Sequence, residues 1–207
     1  MSAFDDCEAL FDKTSIPGLK IVDGWVIKSA WSNIIHDEQM RYYDISVSGE
    51  ITFSGIRGIA DRACDSCSQI TKIVLPSTVK YIGEFAFCDC IGLEEIFCYP
   101  NGVVSIGKYA FMNCTSLTSI CLPDGNLTYI GEAAFYRCTS LIRLDVPTSI
   151  SSRDGIGRFV FLQCGNLRDL RLFGIDYATV LARAKDWWGV PSGCVVTCND
   201  GTRYTVP

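Results

Sequence analysis

Histidine is almost missing from this chain of 207 residues: His36 is the only one. A Ser/His/Asp or Cys/His site would have to be built around it, and no G-x-S-x-G motif supplies a nucleophile. His36 is expected in a polar surface loop, Ser32 to Gln39, with no catalytic part. Phosphate-binding loops and dinucleotide fingerprints are also missing, because the glycines fall one per repeat in an Ile-Gly pair, which is turn chemistry. Carboxylates are scattered. Asp5-Asp6 and Asp37-Glu38 are neighbours, but spacing reveals no cluster around either pair. No enzymatic activity and no cofactor are expected.

Basic charge is scarce too. The net charge is −5, from 18 basic and 23 acidic residues, with no basic run. Phosphate backbones need clustered Lys and Arg, so nucleic acid is excluded as the main partner. No stretch reaches the roughly 18 apolar residues of a membrane-spanning helix. The start, Met1-Ser2-Ala3-Phe4-Asp5-Asp6, has no basic residue, apolar run or small-residue cleavage site, so no signal peptide is visible. On that ground alone the expectation is a cytoplasmic or particle-associated protein. Charged residues make up 20% of the chain and apolar ones 48%, enough for a sizeable core.

What the chain has is a repeat. The pattern Ile-Gly-x-x-Ala-Phe-x-x-Cys-x-x-Leu-x-x-Ile starts at Ile59, Ile82, Ile106, Ile130 and Ile156, at spacings of 23, 24, 24 and 26. The third copy reads Ile106, Gly107, Ala110, Phe111, Cys114, Leu117, Ile120. The fifth has Val160 for alanine. The first is degraded, with Ala60 for glycine, Cys64 for phenylalanine and Ile70 for leucine. A fixed period of this size predicts a solenoid. One coil cannot hide its apolar residues alone, so stacking should place Phe87, Phe111, Phe135 and Phe161 in one file and Leu93, Leu117, Leu141 and Leu167 in another. The Ala-Phe segment is expected to form one short helical turn.

The end of each unit alternates like a strand with one face inward. Ile51, Ile73, Ile96, Ile120, Leu144 and Leu170 are the expected rungs of one parallel ladder of six strands, ended by Pro76, Pro100, Pro123 and Pro147. The register I-G-x-x-A-F-x-x-C-x-x-L-x-x-I-x-x-P resembles the BspA-like leucine-rich repeat over roughly residues 50–173. The resemblance implies an α/β repeat solenoid, a right-handed coil with a parallel sheet, and a bacterial or protist cell-surface protein that binds host proteins or adheres. The run Gly193 to Gly201 also looks like the end of many gut-bacterial members.

Twelve cysteines raise metal and disulfide readings. Cys67, Cys90, Cys114, Cys138 and Cys164 fill one repeat slot, where a small side chain serves a tight bend, so reduced, structural thiols are expected. Neighbouring slot cysteines would lie within disulfide reach, yet an odd file cannot all pair. Cys64-x-x-Cys67 with Cys88-x-Cys90 superficially resembles a zinc ligand set, and Cys64-x-x-Cys67 a redox pair. The repeat register already accounts for Cys64 and Cys67, so no metal site is expected.

The ends of an open solenoid must be covered. Residues 1–49 are expected to cap the N-terminal end, 50–173 to form five coils and a partial one, and 174–207 to cap the other end. In the first cap, Asp5 to Phe11 suits a short helix, and Gly24 to Ile27 and Tyr42 to Val47 read as strands. In the last, Tyr177 to Trp187 reads as an amphipathic helix with Asp176 as N-cap and Gly189 as stop. Val195–Cys198 and Thr202–Val206 flank a hairpin turn. Trp187 and Trp188 are expected to seal the last coil.

Side chains flanking the ladder rungs form two outward columns: Glu50, Lys72, Glu95, Ser119, Arg143, Asp169, and Thr52, Val74, Phe97, Cys121, Asp145, Arg171. Val74, Phe97 and Cys121 make an apolar run. Arg143 should lie beside Asp169 and Asp145 beside Arg171. Lys72, Val74, Glu95, Phe97, Ser119, Cys121, Arg143, Asp145, Asp169 and Arg171 are therefore the candidate binding residues, for a protein or glycan partner. The competing expectation is a structural subunit of a larger assembly, such as a virion or surface layer. Oligomeric state is left open.

Overall fold

The structure is a computed structural model. It describes residues 48–207 apart from 101, 123 and 124, together with five strands nearer the N-terminus: β1 (Phe11–Asp12), β2 (Leu19–Val22), β3 (Trp25–Lys28), β4 (Ile34–His36) and β5 (Tyr42–Asp44). Long and short strands then alternate. They are β6 (Ser48–Thr52), β7 (Gly58–Ile59), β8 (Gln69–Leu75), β9 (Tyr81–Ile82), β10 (Glu95–Cys98) and β11 (Ser105–Ile106). The series continues with β12 (Ser119–Cys121), β13 (Tyr129–Ile130), β14 (Arg143–Val146) and β15 (Asp169–Leu172). Helix α1 (Tyr177–Arg183) and strands β16 (Val195–Thr197) and β17 (Arg203–Thr205) close the chain.

Each coil contributes one long and one short strand because its apolar residues recur with two different partners. The Ile-Gly pairs stack in parallel, with Ile59 beside Ile82, Ile82 beside Ile106 and Ile106 beside Ile130, and a bridge continues to Ile156. This file begins on β3, which pairs parallel with β7 and antiparallel with β2. The glycine is required by close approach. A Cβ on Gly107 would lie 2.6 Å from the carbonyl carbon of Gly83, and one on Gly131 would lie 2.6 Å from that of Gly107.

Between these sheets runs the core. Phe87, Phe111, Phe135 and Phe161 are fully buried, as are Leu93, Leu117, Leu141 and Leu167. The phenylalanine rings lie 5.4, 5.5 and 6.4 Å apart between centroids, within 5° of parallel. Each such pair adds about 0.5–1.5 kcal/mol beyond burial alone. The slot cysteines are positioned by hydrogen bonds as well as by packing. The thiols of Cys90, Cys114, Cys138 and Cys164 donate to the carbonyls of Cys64, Phe87, Phe111 and Phe135 in the preceding coil, at 3.0–3.2 Å. A small side chain with one weak donor is what this bend takes.

The Ala-Phe segment is not a helical turn. It is a pair of tight turns with two left-handed residues per coil: Arg62 and Ser66, Phe85 and Asp89, Tyr109 and Asn113, Ala133 and Arg137, Phe159 and Gln163, all with φ between 53° and 64°. Non-glycine residues avoid this region at a cost of roughly 1–2 kcal/mol. The offset is visible in the bonding. The N–H groups of Arg62, Phe85, Tyr109, Ala133 and Phe159 donate to carbonyls of Glu84, Lys108, Glu132, Arg158 and Trp187 in the following coil, at 2.7–2.9 Å.

The ends differ from expectation in places. Ile34–His36 is a strand antiparallel to Tyr42–Asp44, so His36 is not in a loop; two isoleucines beside the histidine give the segment its strand character. Phe11 belongs to β1, whose pairing with β2 displaces a helix there, and Asp5 to Leu10 lie outside the described residues. Gly24, residues 45–47 and Pro123 also lie outside them. Helix α1 ends at Arg183, four residues short of the expectation, in a turn where both Trp187 and Trp188 donate to the Arg183 carbonyl. Asp176 caps it by accepting from the Thr179 N–H at 2.7 Å, and Gly189 turns with φ 72°. Trp188 is fully buried and donates to the Ile156 carbonyl, whereas Trp187 stays partly exposed.

Candidate binding site on the open sheet face

The long strands alternate, except in β8, where neither Thr71 nor Lys72 is buried and the register against β6 shifts between Gly49 and Glu50. In β10, Ile96 and Cys98 point into the core and Glu95 and Phe97 point out. Cross-strand register carries this alternation from coil to coil: Glu95 lies between Lys72 and Ser119, and Phe97 between Val74 and Cys121. The expected columns therefore exist on this half of the sheet. Arg143, Asp145, Asp169 and Arg171 pair as expected on the other half, with Arg143 opposite Asp169 and Asp145 opposite Arg171.

The charges on the face neutralise one another. Lys72 reaches Glu50 at 3.9 Å and Glu95 at 3.5 Å. Arg143 lies 3.2 Å from Asp145 and 3.6 Å from Asp169, while Arg171 lies 3.9 Å from Asp145 and 3.5 Å from Asp169. Such exposed pairs contribute about 0–1 kcal/mol each. Their larger effect here is to set three cations against four carboxylates, so that these pairs leave only one negative charge in excess.

The ladder is not one sheet of six strands. One sheet runs β12-β10-β8-β6 and another β14-β15-β16-β17, and among the described residues no strand pairing joins β12 to β14. Elsewhere the residue ahead of each strand donates across the step: Glu94 to Thr71, Thr118 to Glu94 and Arg168 to Ile142. The equivalent bond from Ile142 to Thr118 is missing among the described residues. The C-terminal hairpin, by contrast, extends the ladder, with Val196 in parallel register on Leu170.

The break opens a cavity of about 430 Å³ on the outer face. Cys121, Ile142, Pro147 and Phe173 supply its apolar walls, and Ser119, Arg143 and Asp145 its polar edge. Ile120 and Leu122 are 8% and 9% exposed here, against 0–1% for Ile73, Ile96, Leu144 and Leu170. Ile142 is 57% exposed and Phe173 40%, and nearby Tyr99 packs edge-on against Phe97 at 5.2 Å. Sequence reasoning missed Tyr99, Ile142 and Phe173. They lie just outside the alternating segments, where nothing in the repeat says which way a side chain turns.

Among the described residues the four cysteines of the zinc-like pattern do not converge as one set of ligand atoms. Cys64 and Cys67 are buried in the coil interior, and the Cys90 thiol is committed to the Cys64 carbonyl. Asp65, Cys88 and Asp89 do approach within 4.8 Å of one another. There Arg62 pairs with Asp65 at 2.9 Å and the Cys88 thiol donates to Asp89. Burial first, and then the Asp89 charge, push the Cys88 thiol far up, so it stays protonated. All eleven described cysteines are free thiols.

A stack of coils with a parallel ladder, a glycine file and a buried small-residue slot defines a leucine-rich-repeat solenoid. The family described as the BspA type leucine rich repeat region matches residues 57–176 in six copies, and the chain belongs to that family. Among solved structures it is similar to the Treponema pallidum leucine-rich-repeat protein, with 26% identity and a TM-score of 0.65 over 91% of this chain and 81% of that one. It shares its fold with the pneumococcal vaccine antigen PcpA, at 22% identity and a TM-score of 0.62 over 88% of this chain and 42% of that one. It also shares it with a leucine-rich cell surface protein of Faecalibacterium prausnitzii, at 18% identity and 0.56 over 94% and 58%. No curated protein matches the chain in sequence. No helix among the described residues is long and apolar enough to cross a membrane.

Proposed function

We propose that this chain is a non-catalytic interaction module of the adhesion type, which holds a protein partner on its open sheet face. The observation that carries the reading is the cavity between β12 and β14, apolar at its centre and set between two arrays of mutually paired charges. A buried anchor surrounded by a polar rim is how a few residues come to dominate an interface. Val74, Phe97, Cys121, Ile142 and Phe173 are the anchor side of this proposal; Lys72, Glu95, Ser119, Arg143, Asp145, Asp169 and Arg171 are its rim. The coarser part of the proposal draws on the family, whose repeats serve mostly in protein interaction and not in catalysis.

The test is capture of partners from the native source by the full chain, repeated with Phe97→Asp and Phe173→Asp. Both side chains are partly exposed, so both variants should keep the wild-type unfolding temperature. Loss of one specific partner in both variants supports the reading. Retention of that partner in both overturns it. Native mass spectrometry of the free chain separates the module from a lattice or ring subunit, which would assemble with itself.

A further inference from the structure

On the turn that follows each Ile-Gly pair, the coils set the side chains of the first left-handed residues in a column. Arg62, Phe85, Tyr109 and Phe159 are at least partly exposed, while the short Ala133 side chain lies 4% exposed at the floor between its neighbours. The column is a continuous π stack with one vacancy. Arg62 lies 4.1 Å over the Phe85 ring, and Phe85 stacks on Tyr109 at 4.8 Å and 15°. Beyond the vacancy, Arg158 lies 4.6 Å from the Phe159 ring and 4.7 Å from Trp187, and Arg183 lies 4.4 Å from Trp187. The vacant position is Ala133. It has the same backbone as its neighbours, φ 53° against 55° at Tyr109 and 58° at Phe159, but only a methyl group.

The spacing of the coils leaves room for one ring there. Across these coils the inner phenylalanines step by 5.5 and 6.4 Å, so Tyr109 and Phe159 stand two steps apart. A ring seated between them would lie at stacking distance from both. The space is a pocket of about 230 Å³ lined by Tyr109, Met112, Ala133, Tyr136, Phe159 and Leu162. Arg158 is held between Phe159 and Trp187, which leaves the other face of Phe159 for the pocket.

The pocket continues into a polar one. Met112 and Tyr136 line both, and the second also holds Asp89, Asn113, Thr115 and Arg137. The Asp89 carboxylate accepts from Asn113. The exposed Arg137 guanidinium, in contrast, has no ion pair among the described residues. A ring slot next to an exposed guanidinium that no ion pair holds among the described residues favours an aromatic residue followed by a carboxylate, drawn by Arg137 against the net negative charge of the chain.

We infer that the Ala133 vacancy is a second binding site, distinct from the open sheet face, and that it receives the aromatic side chain of an aromatic-acidic segment of a protein partner. The ring completes the stack between Tyr109 and Phe159, and the neighbouring carboxylate pairs with Arg137.

The test is nuclear magnetic resonance on the full chain carrying 13C-methyl alanine and methionine, titrated with short blocked dipeptides. N-acetyl-Trp-Glu-amide should move the Ala133 and Met112 methyl signals upfield by ring current, saturably, with a dissociation constant on the order of 1 mM. N-acetyl-Leu-Glu-amide should not. N-acetyl-Trp-Gln-amide should bind about threefold more weakly, and Arg137→Gln should abolish that difference. Ala133→Phe fills the slot from within. It should fold, since Phe85 and Phe159 occupy the same backbone conformation, and the Met112 methyl should then ignore the tryptophan peptide. An Ala133 methyl unmoved by tryptophan, moved equally by leucine, or moved only by a methyl pyranoside overturns the inference. Because Phe97→Asp lies on the other face and should leave these shifts intact, failure here is distinguishable from failure of the open-face proposal.

Discussion

A single phenylalanine illustrates how far residue type and location decide energetics in this protein. Phe111 is fully buried between Phe87 and Phe135, while Phe97 is 37% exposed on the sheet face. Chemical denaturation should show Phe111→Ala to cost about 3–5 kcal/mol, the range for deleting a buried ring, and Phe97→Ala far less. Equal costs would mean that the faces of β10 are assigned wrongly. The thiols set a pH dependence. Burial pushes Cys98 and Cys164 up to about 12, while a free thiol ionises near ~8.5. Above that lower value the unfolded chain releases protons that the folded chain keeps. Stability from these groups is therefore complete below about pH 8.5 and is lost as pH rises toward 12. Urea midpoints measured from pH 7 to pH 11 should fall, and Cys164→Ala should make the fall shallower.

At the scale of the element, legibility depended on whether the local rule was about side chains or about backbone. The file of Phe87, Phe111 and Phe135 and the rungs Ile73, Ile96 and Ile120 were readable, because a repeated apolar residue has one sensible place in a stack. The double turn was not. Phe85, Tyr109 and Phe159 are ordinary strand or helix residues by type, and nothing in them announces a left-handed backbone. Only the bonds to the following coil make that conformation acceptable. The shortened α1 had a similar cause: Trp188 follows the apolar period to its end, but it is buried against Ile156 by leaving the helix. The glycine file was readable as turn chemistry, yet its close contact with the coil beneath was not. Gly107→Ala should accordingly destabilise by about 1–3 kcal/mol, the cost of forcing volume into a packed contact. Thermal unfolding measures it, with Gly165→Ala as the control, since a Cβ there would meet nothing within 4 Å.

For the molecule as a whole, the two sheets of the open face rest on one core. Phe111 and Phe135 stack across the break, and Ile106 pairs with Ile130 there. Unfolding should therefore remain a single transition, while protection is uneven. Hydrogen exchange should find the Ile142 amide markedly less protected than those of Thr118 and Arg168, whose bonds to the preceding coil are intact. Equal protection of the three would mean that β12 and β14 are joined after all. The columns of the binding face could be listed from the repeat; the break that gives them a centre could not, since Ile142 sits in a copy as regular as its neighbours.

The left-handed turns bond each coil only to the next one, by the same few backbone groups at every step. Length is thus an open parameter of this architecture. A whole unit can be copied or lost without any surviving interface having to be reinvented, so the span of either face can grow or shrink by increments of one coil. A change of a few residues has no such freedom, because every file would fall out of step at once.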